Sequence, residues 1–221
     1  MFNFGKTEEE KARLSAMEEN FAIISFEPNG TILHANDNFL NALGYRLNEV
    51  VGNHHKMFCD KKYITTQEYT EFWNNLGRGI SQINEFERIR KDGSSIWIQA
   101  SYTPVKNANG KVTRVVKFAQ DITESKKVVD AVKKAINLAK TGIVKQTITE
   151  TTSNEGIEEL KNGINDLFEI VSSKVDGDLN KISDALSSYQ KLDFRHRITG
   201  NSLGEVSVGL NNLANVVNEM L

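Results

Sequence analysis

Cysteine occurs once in the 221 residues, proline and tryptophan twice each, and histidine four times. A lone cysteine forms no internal disulfide, and Cys59 with four scattered histidines is a poor donor set for tetrahedral zinc. A reducing compartment is expected. No apolar run approaches the roughly 20 residues that cross a bilayer, and residues 1–6 lead straight into the charges from Glu8 to Lys11. A soluble, cytoplasmic chain without a membrane span follows as the expectation. The formal charge of −2 lacks the basic surplus needed to neutralise phosphates, which argues against nucleic-acid binding. What is present, 39% apolar residues, can build one sizeable core with extra helices or two modest domains.

The chain changes character near Asp121 to Ser125. Both prolines and both tryptophans lie before that point, whereas Ile, Leu, Val, Asn, Lys and Ser at helical spacing follow it. In the first half an apolar run at 21–26, the turn Pro28-Asn29-Gly30 and a strand at 31–35 read as a hairpin. Asn36 is placed to cap a helix over 37–43 that Gly44 ends, and Thr65 or Thr66 to cap a longer one carrying Tyr69, Phe72, Trp73 and Leu76. Period-two alternation returns at Phe86 and Arg88, continues after the Lys91-Asp92-Gly93-Ser94 turn over 96–105, and resumes over 112–118. The economical arrangement is a five-stranded antiparallel sheet with helices on one face, leaving room for a small ligand between the layers.

The second half repeats at a shift of 46. Val129, Ile136, Ala139, Ile143 and Ile148 fall on Val175, Ile182, Ala185, Tyr189 and Phe194. Leu160, Gly163, Ile164, Asn165, Leu167 and Val171 fall on Val206, Gly209, Leu210, Asn211, Leu213 and Val217. Each unit reads as two helices with narrow apolar seams joined by a linker of about a dozen residues. At roughly 3.3 Å per residue that linker can return to the starting end, which allows a parallel pair. Seams this narrow need a second copy to cover them, so a homodimer with a parallel four-helix bundle is expected.

These motifs carry a resemblance. The Asn29-Gly30 hairpin, Ala35-Asn36-Asp37-Asn38-Phe39, Leu43-Gly44-Tyr45, Glu49-Val50-Val51-Gly52, Lys91-Asp92-Gly93 and the closing Asp121-Ile122-Thr123 make residues 19–123 similar to a PAS domain, behind an N-terminal helical cap at 1–18. His54-His55-Lys56-Met57-Phe58-Cys59 and the stretch from Trp97 to Val105 resemble the PAS domains of soluble chemotaxis transducers and aerotaxis receptors. Leu192-Asp193-Phe194, Arg197-Ile198, Gly204-Glu205 and Leu210-Asn211-Asn212-Leu213 make 173–221 similar to a HAMP domain, with a degenerate copy at 126–172. The resemblance implies an α+β PAS fold followed by all-α parallel coiled-coil bundles, and an N-terminal sensory fragment of a transducer. A kinase and its coupling protein would then be engaged only through an output domain beyond Leu221.

Several side chains are candidates for function, each with a plainer structural reading beside it. One imidazole of His54 or His55 could ligate a haem iron or hydrogen-bond a flavin, with His55 preferred through the likeness to flavin-type aerotaxis receptors; the alternative is a surface or capping role. Asn36 either reads a ligand through its amide or simply caps its helix. Trp73 either faces a cofactor or fills core. Gln82 stands where flavin-binding relatives carry a tryptophan, which counts against FAD. Trp97 lies either against the pocket or on the outer face. Cys59 is either a redox sensor or a small buried apolar residue, and Met57 and Phe58 are core. Asp121 and Thr123 cap the outgoing helix and couple sensor to helix, with Lys91 a possible partner of Asp121. Gly142, Gly156, Gly163, Gly204 and Gly209 would soften the helical packing.

Lone His34 and Ser101 form no interpretable catalytic pair, and no phosphate-binding loop follows a strand, so no enzymatic activity is expected. The sequence leads to a cytoplasmic sensor in which the PAS domain detects a small ligand, redox state or oxygen and passes a conformational change through the bundles. A cofactor of FAD, haem or none is open. The rival is a cofactor-free PAS module for dimerisation or docking.

Overall fold

A computed structural model describes residues 7–220, so the opening residues 1–6 and the terminal Leu221 of the expectations above lie outside the described residues. The chain divides into two compact units that meet between Thr123 and Glu124. The first begins with α1 (Glu8–Asn20), which starts in a capping box between Thr7 and Glu10 and buries none of its residues. Then come β1 (Ala22–Phe26), β2 (Ile32–Ala35), α2 (Asp37–Leu43), α3 (Leu47–Val50), 3-10 turns over His55–Phe58 and Tyr63–Thr65, α4 (Gln67–Gly77), β3 (Gln82–Ile89), β4 (Ser95–Lys106) and β5 (Val112–Asp121).

The sheet order is β2-β1-β5-β4-β3, antiparallel throughout. Three neighbours are joined by hairpins; the fourth contact, β1 on β5, joins strands about 90 residues apart in the chain, Ile23 lying opposite Phe118. β3 starts at Gln82, four residues earlier than alternation suggested, because an edge strand needs only one satisfied side and its first residues point to solvent. The helices cover one face, where Phe26, Phe39, Phe58, Phe72, Trp73 and Tyr102 form the core with the alternate residues Ile96, Ile98 and Ala100 of β4. Gly30 closes the first hairpin at φ +95°, and a Cβ there would lie 2.8 Å from His54 Nε2 and 3.0 Å from the Trp73 ring. Both the left-handed backbone and the close approach require glycine.

The second unit contains α5 (Thr123–Ala139), α6 (Glu155–Lys174), α7 (Leu179–Gln190) and α8 (Glu205–Met220). Two observations make the pairs parallel. At their starting ends Ser125 Oγ meets Thr152 Oγ1 at 2.9 Å, and Asp176 Oδ2 accepts from Ser207 Oγ at 2.6 Å. At their far ends Val144 N donates to Gly177 O at 2.9 Å, and Asn218 Nδ2 donates to Phe194 O at 2.8 Å. Each connector is clamped by one asparagine. Asn165 accepts from Ile148 N at 2.8 Å and donates to Ile148 O at 3.0 Å, while Asn211 does the same with Ile198 at 2.9 Å and 2.9 Å.

These clamps correct the repeat. Ile148 corresponds to Ile198 and not to Phe194; likewise buried Ala135 corresponds to Ala185 and Val144 to Phe194. First helices and connectors therefore repeat at a shift of 50, while the second helices keep 46, since α6 carries about one more turn ahead of its asparagine than α8. The helix expected to reach Ile143 ends at Ala139, with Ile143 bridging to Asp178, and the helix expected from Val175 begins at Leu179 because Asp178 caps it. Gly142 and Gly204 lie outside the helices. Gly204 is required by proximity, since a Cβ there would lie 2.3 Å from Val175 O.

Candidate functional site

The core of the first unit holds a polar cluster centred on Tyr102. His55 is fully buried in the 3-10 turn after α3, with Nδ1 3.1 Å from the Tyr69 hydroxyl and Nε2 3.0 Å from the Tyr102 hydroxyl. A neutral imidazole has one donor and one acceptor nitrogen, so one tyrosine donates to it and the other accepts. Arg88 of β3 donates from Nη2 to the Tyr102 hydroxyl at 3.4 Å and from Nη1 to Glu87 O at 2.7 Å. Lys117 of β5, directly opposite Tyr102 in the sheet, places Nζ 5.0 Å from the Tyr102 ring and 5.4 Å from the Phe39 ring. The buried indole Nε1 of Trp73 and Nε of Arg88 have no hydrogen-bond partner.

Three groups able to carry positive charge thus share one apolar interior, and among the described residues no carboxylate forms an ion pair with any of them. Burial first, and the charges of Arg88 and Lys117 next, push the His55 pKa well below the usual imidazole range. Burial, reinforced by Arg88, pushes that of Lys117 far below the usual amine range. The Tyr102 phenol is pushed up to about 12, chiefly by burial. His55 is therefore a neutral imidazole at neutral pH, and burial and Arg88 both disfavour the ammonium form of Lys117. Cys59 Sγ sits 3.7 Å from His55 Nδ1, but burial raises its pKa and keeps it a thiol, the opposite of an activated redox cysteine.

The other candidates are spread more widely. Asn36 Oδ1 accepts from Phe39 N and Ile23 N, and its Nδ2 donates to Phe21 O and Glu18 O, so the amide is spent on the backbone and reads no ligand. Trp73 is core, in edge contact with His55 at 5.3 Å. Trp97 is half-buried on the opposite face of β4 from Ile96 and Ile98, away from the core. His54 caps the 3-10 turn, its Nδ1 accepting from Lys56 N and its Nε2 meeting Asn29 O at 2.8 Å. Thr123 Oγ1 donates to Asp121 Oδ1 at 2.5 Å and accepts from Trp97 N at 3.0 Å, which holds Thr123, the last residue of the first unit, against β4 and β5. Asp121 pairs with Arg90 at 3.4 Å; Lys91, the expected partner, pairs with Glu49 at 2.6 Å.

Haem and flavin do not fit this arrangement. Both His55 nitrogens are engaged, leaving no lone pair for iron, and the interior is filled by Phe26, Phe72 and Tyr102, with Phe72 and Tyr102 ring centroids 4.9 Å apart. Among the described residues no group of three or more His, Cys, Asp or Glu is placed to hold a metal ion, and no helix is long and apolar enough to cross a membrane. Arg88 and Lys117 were missed as candidates, although a signal existed. Parity with Phe86 puts Arg88 inside, and parity with Val115 and Ala119 does the same for Lys117.

Comparison with known proteins agrees with this architecture. Residues 32–119 match the family model described as the PAS fold. Biofilm dispersion protein BdlA of Pseudomonas aeruginosa is 31% identical over 172 residues, covering 78% of this chain and 40% of BdlA. The aerotaxis receptor of Escherichia coli is 27% identical over 111 residues, covering 50% of this chain and 22% of the receptor. The chain thus spans less than half the length of these curated relatives. Among solved structures, an RNA-binding light-oxygen-voltage receptor matches with a TM-score of 0.50 at 22% identity, over 63% of this chain and 40% of that one, a likeness of fold alone.

Proposed function

We propose that this chain, whose first unit is a PAS domain related in sequence to BdlA and the aerotaxis receptor, is the sensing and relay part of a cytoplasmic, homodimeric chemotaxis-type transducer. The PAS domain responds to a small molecule, and two HAMP-like helix pairs carry the response toward an output domain that engages the kinase and its coupling protein. No enzymatic step is involved. The ligand acts by binding one arrangement better than another, and a difference of about 1 to 3 kcal/mol is ordinary for such coupling.

The observation that carries the reading is a recurring exposed seam. Leu160, Leu167 and Ile170 on α6 are 58%, 56% and 58% exposed, and their counterparts Val206, Leu213 and Val216 on α8 are 44%, 52% and 54% exposed. The same apolar positions are left open in both repeats, in register with the asparagine clamps. A second copy of the chain supplies the missing cover, and parallel pairing sets each residue opposite its own twin. Leu213→Cys tests this directly, because the native Cys59 is buried. Mild oxidation is expected to give a disulfide-linked dimer, and ultracentrifugation of the unmodified chain to give twice 24.8 kDa. A monomer at high concentration, or no 213–213 cross-link, refutes the dimeric relay. The filled PAS interior favours a second reading, a docking module that takes no ligand, and released small molecules detected by mass spectrometry of freshly purified protein would count against it.

A further inference from the structure

Among the described residues Arg88 is a buried cation without an ion pair. It is 3% exposed, and a guanidinium does not deprotonate in a protein. Its polar contacts are a carbonyl and a phenol, its Nε has none, and its guanidinium lies 4.7 Å from the Phe86 centroid and 5.9 Å from that of Tyr63. A buried cation without a counter-ion is costly to keep, and rings compensate it only in part. Beside it, a cleft of about 350 Å³ follows edge strand β3, with Arg88, Tyr63, Phe86 and Trp97 in its walls. That volume suits a small organic molecule. The cleft is also lined by Asp60, Glu68, Glu85 and Glu87, whose field repels a multiply charged anion such as phosphate more strongly than a single carboxylate. A single carboxylate on a flat apolar body answers both features, because its head meets one guanidinium and its body meets aromatic walls.

We propose that the PAS domain binds a small monocarboxylic acid with a flat, apolar body in this cleft, its carboxylate pairing with Arg88. The proposal rests on the small-molecule sensing reading and gives it a ligand class.

Isothermal titration of the 221-residue chain with benzoate, phenylacetate and indole-3-acetate, each beside its neutral amide and with inorganic phosphate as control, tests this. At least one acid is expected to bind about tenfold or more tighter than its amide, with no response to phosphate. Arg88→Met is expected to bring the acid down to the level of its amide. Trp97→Ala, which leaves the core intact, is expected to weaken acid and amide alike. An amide that binds as tightly as its acid, or an Arg88→Met chain that keeps the preference, overturns the carboxylate assignment while leaving the cleft a ligand site. Silence from every acid also overturns it. If mass spectrometry then finds no released small molecule in freshly purified protein, the sensing reading falls as well.

Discussion

Replacing Lys117 with methionine is expected to stabilise the PAS domain. The amine is buried and lies over two rings, so its contribution is a contest between cation–π attraction and desolvation. A desolvated cation–π contact gives about 2 kcal/mol, whereas stripping water from an ammonium costs several kcal/mol, so desolvation wins and the fold disfavours the ammonium. The unfolded chain binds a proton there up to its ordinary pKa of 10.5, and the folded chain holds it less well, because burial and Arg88 push the amine down. The unfolded state therefore binds more protons. Stability from this group is full above about pH 10.5 and falls as pH decreases, by up to about 1.4 kcal/mol per unit. Methionine has similar length and no charge to lose; exchanges of this kind give about 1–4 kcal/mol. Urea unfolding followed by tryptophan fluorescence reads the PAS domain alone, since Trp73 and Trp97 both lie in it. Between pH 7 and pH 9.5 the native domain is expected to gain stability and the Lys117→Met domain to lose that slope. A variant less stable at pH 7, or a native domain flat with pH, would refute the argument.

At the acid end His55 acts in the same direction. Its folded pKa is depressed by burial and by Arg88, so stability is full above about pH 6.5 and is lost as pH falls, by up to about 1.4 kcal/mol per unit, and a His55→Gln domain is expected to lose that slope in the same urea titration. In the helical unit, Asn211→Ala removes the partner of the N–H and C=O of buried Ile198 and is expected to cost about 1–3 kcal/mol. Chemical unfolding followed by circular dichroism measures that loss, and the Ile198 amide should lose hydrogen-exchange protection. Unchanged protection would show that the clamp does not hold the connector.

Local rules made much of this molecule legible. The caps at Asn36 and Thr66, the Gly44 stop and the β4 alternation all act within a few residues, and each stands where the sequence puts it. The β1–β5 pairing was not legible, because no local signal states which edge of a hairpin receives a strand about 90 residues away. Arg88 and Lys117 were hidden for a different reason. Charged side chains are read as solvent-facing by default, and only strand parity, applied against that habit, brings them inside. The buried polar cluster of the domain therefore includes two residues that composition assigns to the surface.

The repeat shows the same division between local and distant information. A single shift of 46 aligns α6 with α8 because their seams and asparagines are fixed by helix period, yet it misaligns α5 and both connectors by four residues. Four residues are close to one helical turn, so apolar positions still fall on apolar positions and the error leaves no trace in the periodicity. What separates the two alignments is a backbone hydrogen bond: each asparagine holds the N–H and C=O of one isoleucine, and the only isoleucine in the second connector is Ile198. An additional turn in α6 moves its start along the helix axis while the clamp, fixed to the connector backbone, keeps the pair in register. The two repeats are thus alike in what they hold together and unequal in length, which makes the longer first pair and the shorter second one distinguishable segments of the helical unit.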